Sequence, residues 1–371
     1  MILSLLIFLQ STAFAQMNTE QQAPASQEMT APLIGVTVDE LHKEFIEATD
    51  DLTRGKIIDK LGHTAPDGTR DIQSLFDLFM RFPETQVRDA VLASLAQTSF
   101  HSPDLNLLFV HYLQQPEPEA KLFAIKGALR VHDAQALPVI EELAERKFEY
   151  KSADDAVLLT DKNGWWVQYE ALAALAQWNG EQALPLLLKK SAQAPEIARI
   201  MGRFLWKSSL PQLIKWAGAS SKIDKERAQA GLAAPAPTPE LRDTRAAMLA
   251  VLRDHSAPRE ARHQLALKIG VCSTHDEMAD LFKEYKELKD DEDKLMFKAA
   301  LYASRDQVAV PVLIETAKGD PKAANRSGAL AQLEDMLPPK ELKPLLEWAA
   351  KYDPDPENRD LAERDLKALV H

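Results

Sequence analysis

The chain has 371 residues, with 44 Lys and Arg against 56 Asp and Glu, a formal charge of −12, 46% apolar residues, 22 Pro, 13 Gly and a single Cys. That apolar share supports an extensive core and excludes a disordered chain. One cysteine excludes an intramolecular disulfide, a CxxC redox pair and a Cys-rich zinc site, and a pI near 5.3 argues against a nucleic-acid-binding face.

The first fifteen residues read as a targeting segment. An apolar run from Ile2 to Leu9 is followed by Gln10-Ser11-Thr12 and the small-x-small site Ala13-Phe14-Ala15, the order of a secretory signal peptide cut after Ala15. No Lys or Arg precedes the run, and no Cys follows the cut to accept a lipid. The run is far short of the roughly 20 residues that span a bilayer. The reading therefore predicts a periplasmic or secreted chain without a transmembrane segment. Residues 16–36, rich in Gln, Ala, Ser, Thr and Pro, are expected to form a flexible leader.

From Thr37 onward apolar residues recur at three- and four-residue spacing, which predicts an all-α fold. Thr37-Val38-Asp39-Glu40 has capping-box form and opens a helix through Ala48. Breaks are expected at Pro103, Pro116 and Pro118, Asp133, Asn163-Gly164, Asn179-Gly180, Pro195, Pro211, Pro258, Gly319-Asp320-Pro321 and Pro338-Pro339. They divide the chain into pairs of short helices over 37–232 and 240–371. Between the two blocks, Ala233-Ala234-Pro235-Ala236-Pro237-Thr238-Pro239 cannot continue a helix. It is either a loop within one continuous array or a hinge between two.

The second helix of each pair is rich in Ala and Leu. Val87-Arg88-Asp89-Ala90-Val91-Leu92-Ala93-Ser94-Leu95 parallels Val167-Gln168-Tyr169-Glu170-Ala171-Leu172-Ala173-Ala174-Leu175. Looser copies begin at Ala120-Lys121, Arg262-His263, Lys294-Leu295 and Ala323-Ala324. Leu95 to Leu129 and Leu267 to Leu301 are each 34 residues apart, a repeat period in the helical-array range. Over residues 70 to 370 this resembles a HEAT-like (armadillo-type) array, with irregular units near 145–165 and 220–243. The Val-Arg pair that usually opens the second helix is intact only at Val87-Arg88. The resemblance implies a right-handed α-solenoid of paired antiparallel helices that binds macromolecules along a concave surface lined by second helices. The Trp-x-x-Leu-Gly-x-x-Tyr signature of tetratricopeptide arrays is absent from the sequence.

No Gly-x-Ser-x-Gly, Ser-x-x-Lys, phosphate-cradling loop or His-Glu-x-x-His is present. HEAT-like deoxyhypusine hydroxylases hold iron with His-Glu dyads, and this sequence contains no His-Glu dipeptide. HEAT-like phycobilin lyases and alkylpurine glycosylases are intracellular, and the glycosylases need a basic face. The expectation is a non-enzymatic chain with no cofactor and no metal. His101, His111 and His132 lack helical i, i+4 spacing. Asp353-Pro354-Asp355-Pro356-Glu357 begins like a calcium loop, but Asn358 and Arg364 stand at positions six and twelve, so it reads as a turn capping the last helix. Asp290 to Asp293 read as a charged helix start, and Cys272, in an apolar helix, as core.

One segment departs from the overall charge. Residues 187–227 hold nine Lys and Arg against three Asp and Glu, so the remainder carries −18. Arg199, Arg203 and Lys207 fall at i, i+4 and i+8, on one face of the helix after Pro195. Trp206, Trp178 and Trp216 lie close by in sequence, and Arg and Trp are the residues from which binding hot spots are built. Two readings follow. One is a scaffold in the cell envelope that holds protein partners in a groove formed by these six residues. The other is an adaptor that binds an anionic envelope polymer or lipid headgroup through the basic stripe.

Overall fold

The computed structural model describes residues 103–146 and 164–369, together with isolated positions between 43 and 96. The targeting segment, the leader, the Thr37 capping box, Val87-Arg88, His101 and the stretch 147–163 lie outside the described residues. The chain divides into two compact units, Met1–Leu105 and Asn106–His371. In the first, Ile57, Leu92, Leu95 and Ala96 are buried.

The second unit is an all-α solenoid, and no strand occurs among the described residues. Its helices run in pairs: α1 (Pro103–Gln114) with α2 (Pro118–Val131), α3 (Leu137–Glu145) with α4 (Trp165–Asn179), α5 (Leu184–Ser191) with α6 (Ala198–Phe204), and α7 (Trp206–Ala217) with α8 (Lys222–Ala233). There follow α9 (Thr238–Arg253) with α10 (Arg259–Cys272), α11 (His275–Glu287) with α12 (Asp291–Ser304), α13 (Val310–Gly319) with α14 (Ala323–Met336), and α15 (Pro339–Tyr352) with α16 (Pro356–Ala368). Second helices stack on one another in the order α2, α4, α6, α8, α10, α12. Because α4 is enclosed by α2, α3 and α6, Ala171 to Ala176 are buried without interruption. A helix surrounded by protein has no polar stripe to display.

Small residues set how closely the second helices approach. A Cβ on Gly202 of α6 would lie 1.9 Å from the Gly231 carbonyl oxygen of α8, and one on Gly270 of α10 would lie 2.2 Å from the Ala300 carbonyl oxygen of α12. Neither position has room for a larger residue.

A recurring side chain closes the carbonyl end of the first helix in several pairs. The fourth residue of the second helix is Gln168 in α4, Arg262 in α10, Arg326 in α14 and Arg359 in α16. Gln168 donates to the Ala144 and Arg146 carbonyls, Arg262 to that of Leu252 at 2.9 Å, Arg326 to that of Asp320 at 2.8 Å and Arg359 to that of Asp353 at 2.8 Å. The last carbonyls of a helix lack intrahelical partners and carry negative partial charge, so a donor there is stabilising. The arginine expected at one place in the sequence thus recurs without its valine.

Three local expectations are corrected. Pro211 does not break a helix: it is the sixth residue of α7. The break falls at Leu205, whose φ of −132° and ψ of 38° separate α6 from α7. In α5 and α13 the same apolar-Pro step follows a 3-10 turn, whereas in α7 that turn is α-helical. Residues 220–243 are not irregular, since they form α8 and the start of α9. Alpha8 lacks an apolar stripe because it buries Arg227, Ala228, Gly231 and Leu232, two of them small and one charged. Residues 234–237 are the four-residue connection from α8 to α9, where Ala234 is buried and its carbonyl accepts from Lys268 of α10.

Candidate functional site

Arg199 and Arg203 lie one turn apart on α6, a second helix, with Arg199 exposed and Arg203 half-buried. Lys207 does not continue their row. The break at Leu205 places it on α7, a first helix, where its Nζ pairs with Asp243 of α9 at 3.2 Å. The uniform i, i+4, i+8 stripe does not exist, because two φ/ψ values at one residue redirect the chain.

The tryptophans are also placed differently from expectation. Trp206 is fully buried, its Nε1 donates to Thr244 Oγ1 at 2.8 Å, and the Lys268 ammonium sits 4.6 Å from the ring centroid. Trp216 is buried beneath the Arg227 guanidinium, 3.7 Å from its ring centroid. Both are inter-helix core and unavailable to a partner. Trp178 is half-buried near the end of α4, edge-on to His132 at 5.6 Å. It lies about 18 Å along the helix from Trp166 at the 1.5 Å rise per residue, outside the Arg199–Arg203 surface. The positive segment is largely consumed locally: Lys190 donates to the Glu145 and Arg146 carbonyls, Arg227 to Ser191 and Leu188, and Lys222 pairs with Glu226.

What surrounds the two arginines comes from α4 and α2. Tyr169 and Glu170 of α4 act on Arg203, and Glu170 also pairs with Lys126 of α2 at 3.9 Å. Burial is the main cause pushing the Tyr169 phenol up to about 12, with the Glu170 charge adding to it. Burial likewise lowers Arg203, while Tyr169 and Glu170 oppose that shift. The Arg203 guanidinium lies 4.9 Å from the Phe204 ring centroid, and Trp166 meets Tyr169 edge-on at 5.8 Å. Trp166 Nε1 and Glu196 Oε2 have no hydrogen-bond partner among the described residues. The result is a surface of arginine, aromatic rings and the carboxylates of Glu170 and Glu196 running across three stacked helices. Tyr169, Glu170, Trp166 and Lys126 were not legible as its members. Their register against α6 is set by stacking, which no local sequence pattern carries.

The remaining candidates are structural. Cys272 ends α10, is buried, and burial pushes its thiol up. Asp290 caps α12 by accepting from the Asp293 amide at 2.9 Å, and Asp355 caps α16 by accepting from Glu357 and Asn358. Among the described residues no group of three His, Cys, Asp or Glu is placed to hold a metal ion. No helix among them is long and apolar enough to cross a membrane.

No protein-family model matches the chain, and no curated protein sequence matches it. A search of solved structures matches human deoxyhypusine hydroxylase in complex with glycerol, at 15% identity over 89% of this chain and 96% of that one, with a TM-score of 0.28. The expectation of a non-enzymatic chain is corrected: the protein that this match finds is an enzyme. At that identity and TM-score the likeness assigns neither an activity nor a family.

Proposed function

We propose that the chain is a HEAT-like repeat scaffold of the cell envelope that captures an acidic segment of a partner protein on its second-helix surface around Arg199 and Arg203. The observation that carries this reading is the α4–α6 patch, where an exposed arginine stands beside a second arginine that meets Phe204 and Tyr169, with Trp166 edge-on to Tyr169. Arginine and aromatic side chains concentrate binding energy, and stacked repeats present extended surfaces. Export is supported by residues 2–15 of the sequence.

Affinity capture from an envelope fraction tests the reading. R199E combined with R203Q should weaken capture of a defined protein on the order of tenfold or more, while K207E, on α7 and paired with Asp243 of α9, leaves it intact. Equal capture by wild type and the double variant, with both folded by circular dichroism, overturns it. A ligand that is released steeply as salt rises identifies an anionic polymer or headgroup instead.

A further inference from the structure

A second feature lies where α8 joins α9. In the connection Ala234-Pro235-Ala236-Pro237 two residues lack an N–H, so the segment has little with which to hold itself. A residue before proline is pushed out of the helical region, and Ala234 is extended, with φ −62° and ψ 142°. Its carbonyl, on a buried residue, needs a donor from elsewhere in the fold. Lys268 of α10, itself buried, supplies one. Its Nζ donates to the Ala234 oxygen at 2.5 Å and stands 4.6 Å from the centroid of the Trp206 ring of α7. Trp206 in turn donates to Thr244 Oγ1 of α9 at 2.8 Å. One buried side chain thus ties the connection to α7 and α10, and the ring that it meets holds α9.

The charged groups of the helices packed around Lys268 are engaged with one another. Lys207 of α7 pairs with Asp243 of α9, and the Lys207 amide donates to Glu240 of α9 at 3.2 Å. On α8, Arg227 pairs with Asp224. On α9, Arg245 pairs with Glu277 and Arg253 with Glu284, both of α11. Arg262 of α10 pairs with Asp293 of α12, and Lys298 of α12 with Asp320. Lys215 of α7, Glu226 of α8, Arg242 of α9 and Glu292 of α12 are exposed. Among the described residues no carboxylate pairs with Lys268, whose ammonium is left with one carbonyl and one ring.

We propose that Lys268 is the bolt of a proton-sensitive joint: seated between the Ala234 carbonyl and the Trp206 ring it locks the α8–α9 connection to α10, and the lock tightens when the amine loses its proton. A charged ammonium is costly to bury against so few partners, whereas a neutral amine still donates an N–H there and its desolvation costs far less. Burial accordingly lowers the seated ammonium to about 8, against an ordinary value of 10.5. Released to water, the same group takes up a proton more readily, so between these two values the open joint binds more protons than the closed one. The added strength of the lock is complete above 10.5 and is lost as pH falls through about 8.

The test uses the full chain, with NMR titration of the lysine side chains and amide hydrogen exchange. Lys268 should titrate near 8. Exchange of the Ala234 and Leu241 amides, whose hydrogen bonds to Gly231 and Pro237 flank the connection, should slow about tenfold between about pH 7 and 9 once corrected for intrinsic rates. K268R stays charged over that range and K268M never is, so neither should show the slowing. A Lys268 midpoint at the ordinary lysine value overturns the proposal, and so does a midpoint near 8 without slower exchange; both are read on wild type and need no variant to fold. The same slowing in K268M as in wild type also overturns it, because the protons released would then belong to another group.

Discussion

Arg326 and Asp353 show how much one residue pair can carry in this array. Both are almost fully buried, and the guanidinium meets the carboxylate through two hydrogen bonds, of 2.9 and 2.7 Å. The Asp355 amide adds a third donor to that carboxylate at 2.8 Å. Removing one partner leaves the other charged and buried, which costs about 3–5 kcal/mol, whereas replacing both with apolar side chains costs far less. Urea unfolding of D353N and R326M should each show such a loss, with an R326M/D353L pair recovering much of it. Equal losses in single and double variants would mean that packing, not charge, dominates. The hydrogen bond from Arg326 is the largest cause holding Asp353 below the usual carboxylate range. A lowered folded pKa gives stability that is present above the unfolded value and lost as pH falls through the folded one, so wild type should lose stability in acid more steeply than the R326M/D353L pair.

For whole helices, the crossing of α6 and α8 is the tightest point. A methyl at Gly202 has nowhere to go because backbone, not a flexible side chain, faces it. G202A should destabilise the chain by about 1–3 kcal/mol through overpacking. The exposed Gly328 of α14, with nothing within 4 Å of an added Cβ, gives the opposite result. G328A should stabilise by about 0.5–1 kcal/mol, since alanine loses less backbone entropy in a helix interior. Chemical denaturation of the two variants separates packing from propensity, and a shared sign would contradict the crossing. Much of this level was legible: Ala-Leu spacing marks second helices because the same small and branched residues must fill the same interlayer space. The Leu205 break was not legible, because no Gly or Pro marks it. Pro211 misled because α7 runs through it at the cost of one intrahelical hydrogen bond, its place being sixth in the helix and past the four residues whose N–H groups have no acceptor.

Across the second unit, stability should follow the stack. Each helix pair packs on its neighbours, so protection sums nearest-neighbour terms. Hydrogen exchange should be slowest in α8 and α10, each packed between two other second helices, with close approaches at Gly202 and Gly270. It should be fastest in α16. One common opening free energy for every helix would instead make the unit a single cooperative block. The candidate surface belongs to this scale too. Arg199 and Arg203 were legible as an i, i+4 pair, but the groups that surround them were not, because Tyr169 and Lys126 stand 30 and 73 positions from Arg199 in the sequence.

By itself the sequence determined what depends on local periodicity: an all-helical chain, the alternation of first and second helices, and the helix starts at Pro118, Pro339 and Asp355-Pro356. Those follow from backbone dihedral limits and from the three- and four-residue spacing of side chains that must leave water. Only the tertiary structure decided which charges are spent inside. Arg227, Arg262, Arg326 and Lys268 look like surface residues in the sequence, yet each is buried, because the carbonyl ends of neighbouring helices need donors that no local pattern reveals. The same stacking withdrew Trp206 and Trp216 into the core, while the break at Leu205 sent Lys207 to another helix. Burial, stacking register and dielectric environment are properties of the assembled array, so the chemistry that depends on them appears only when the helices are packed.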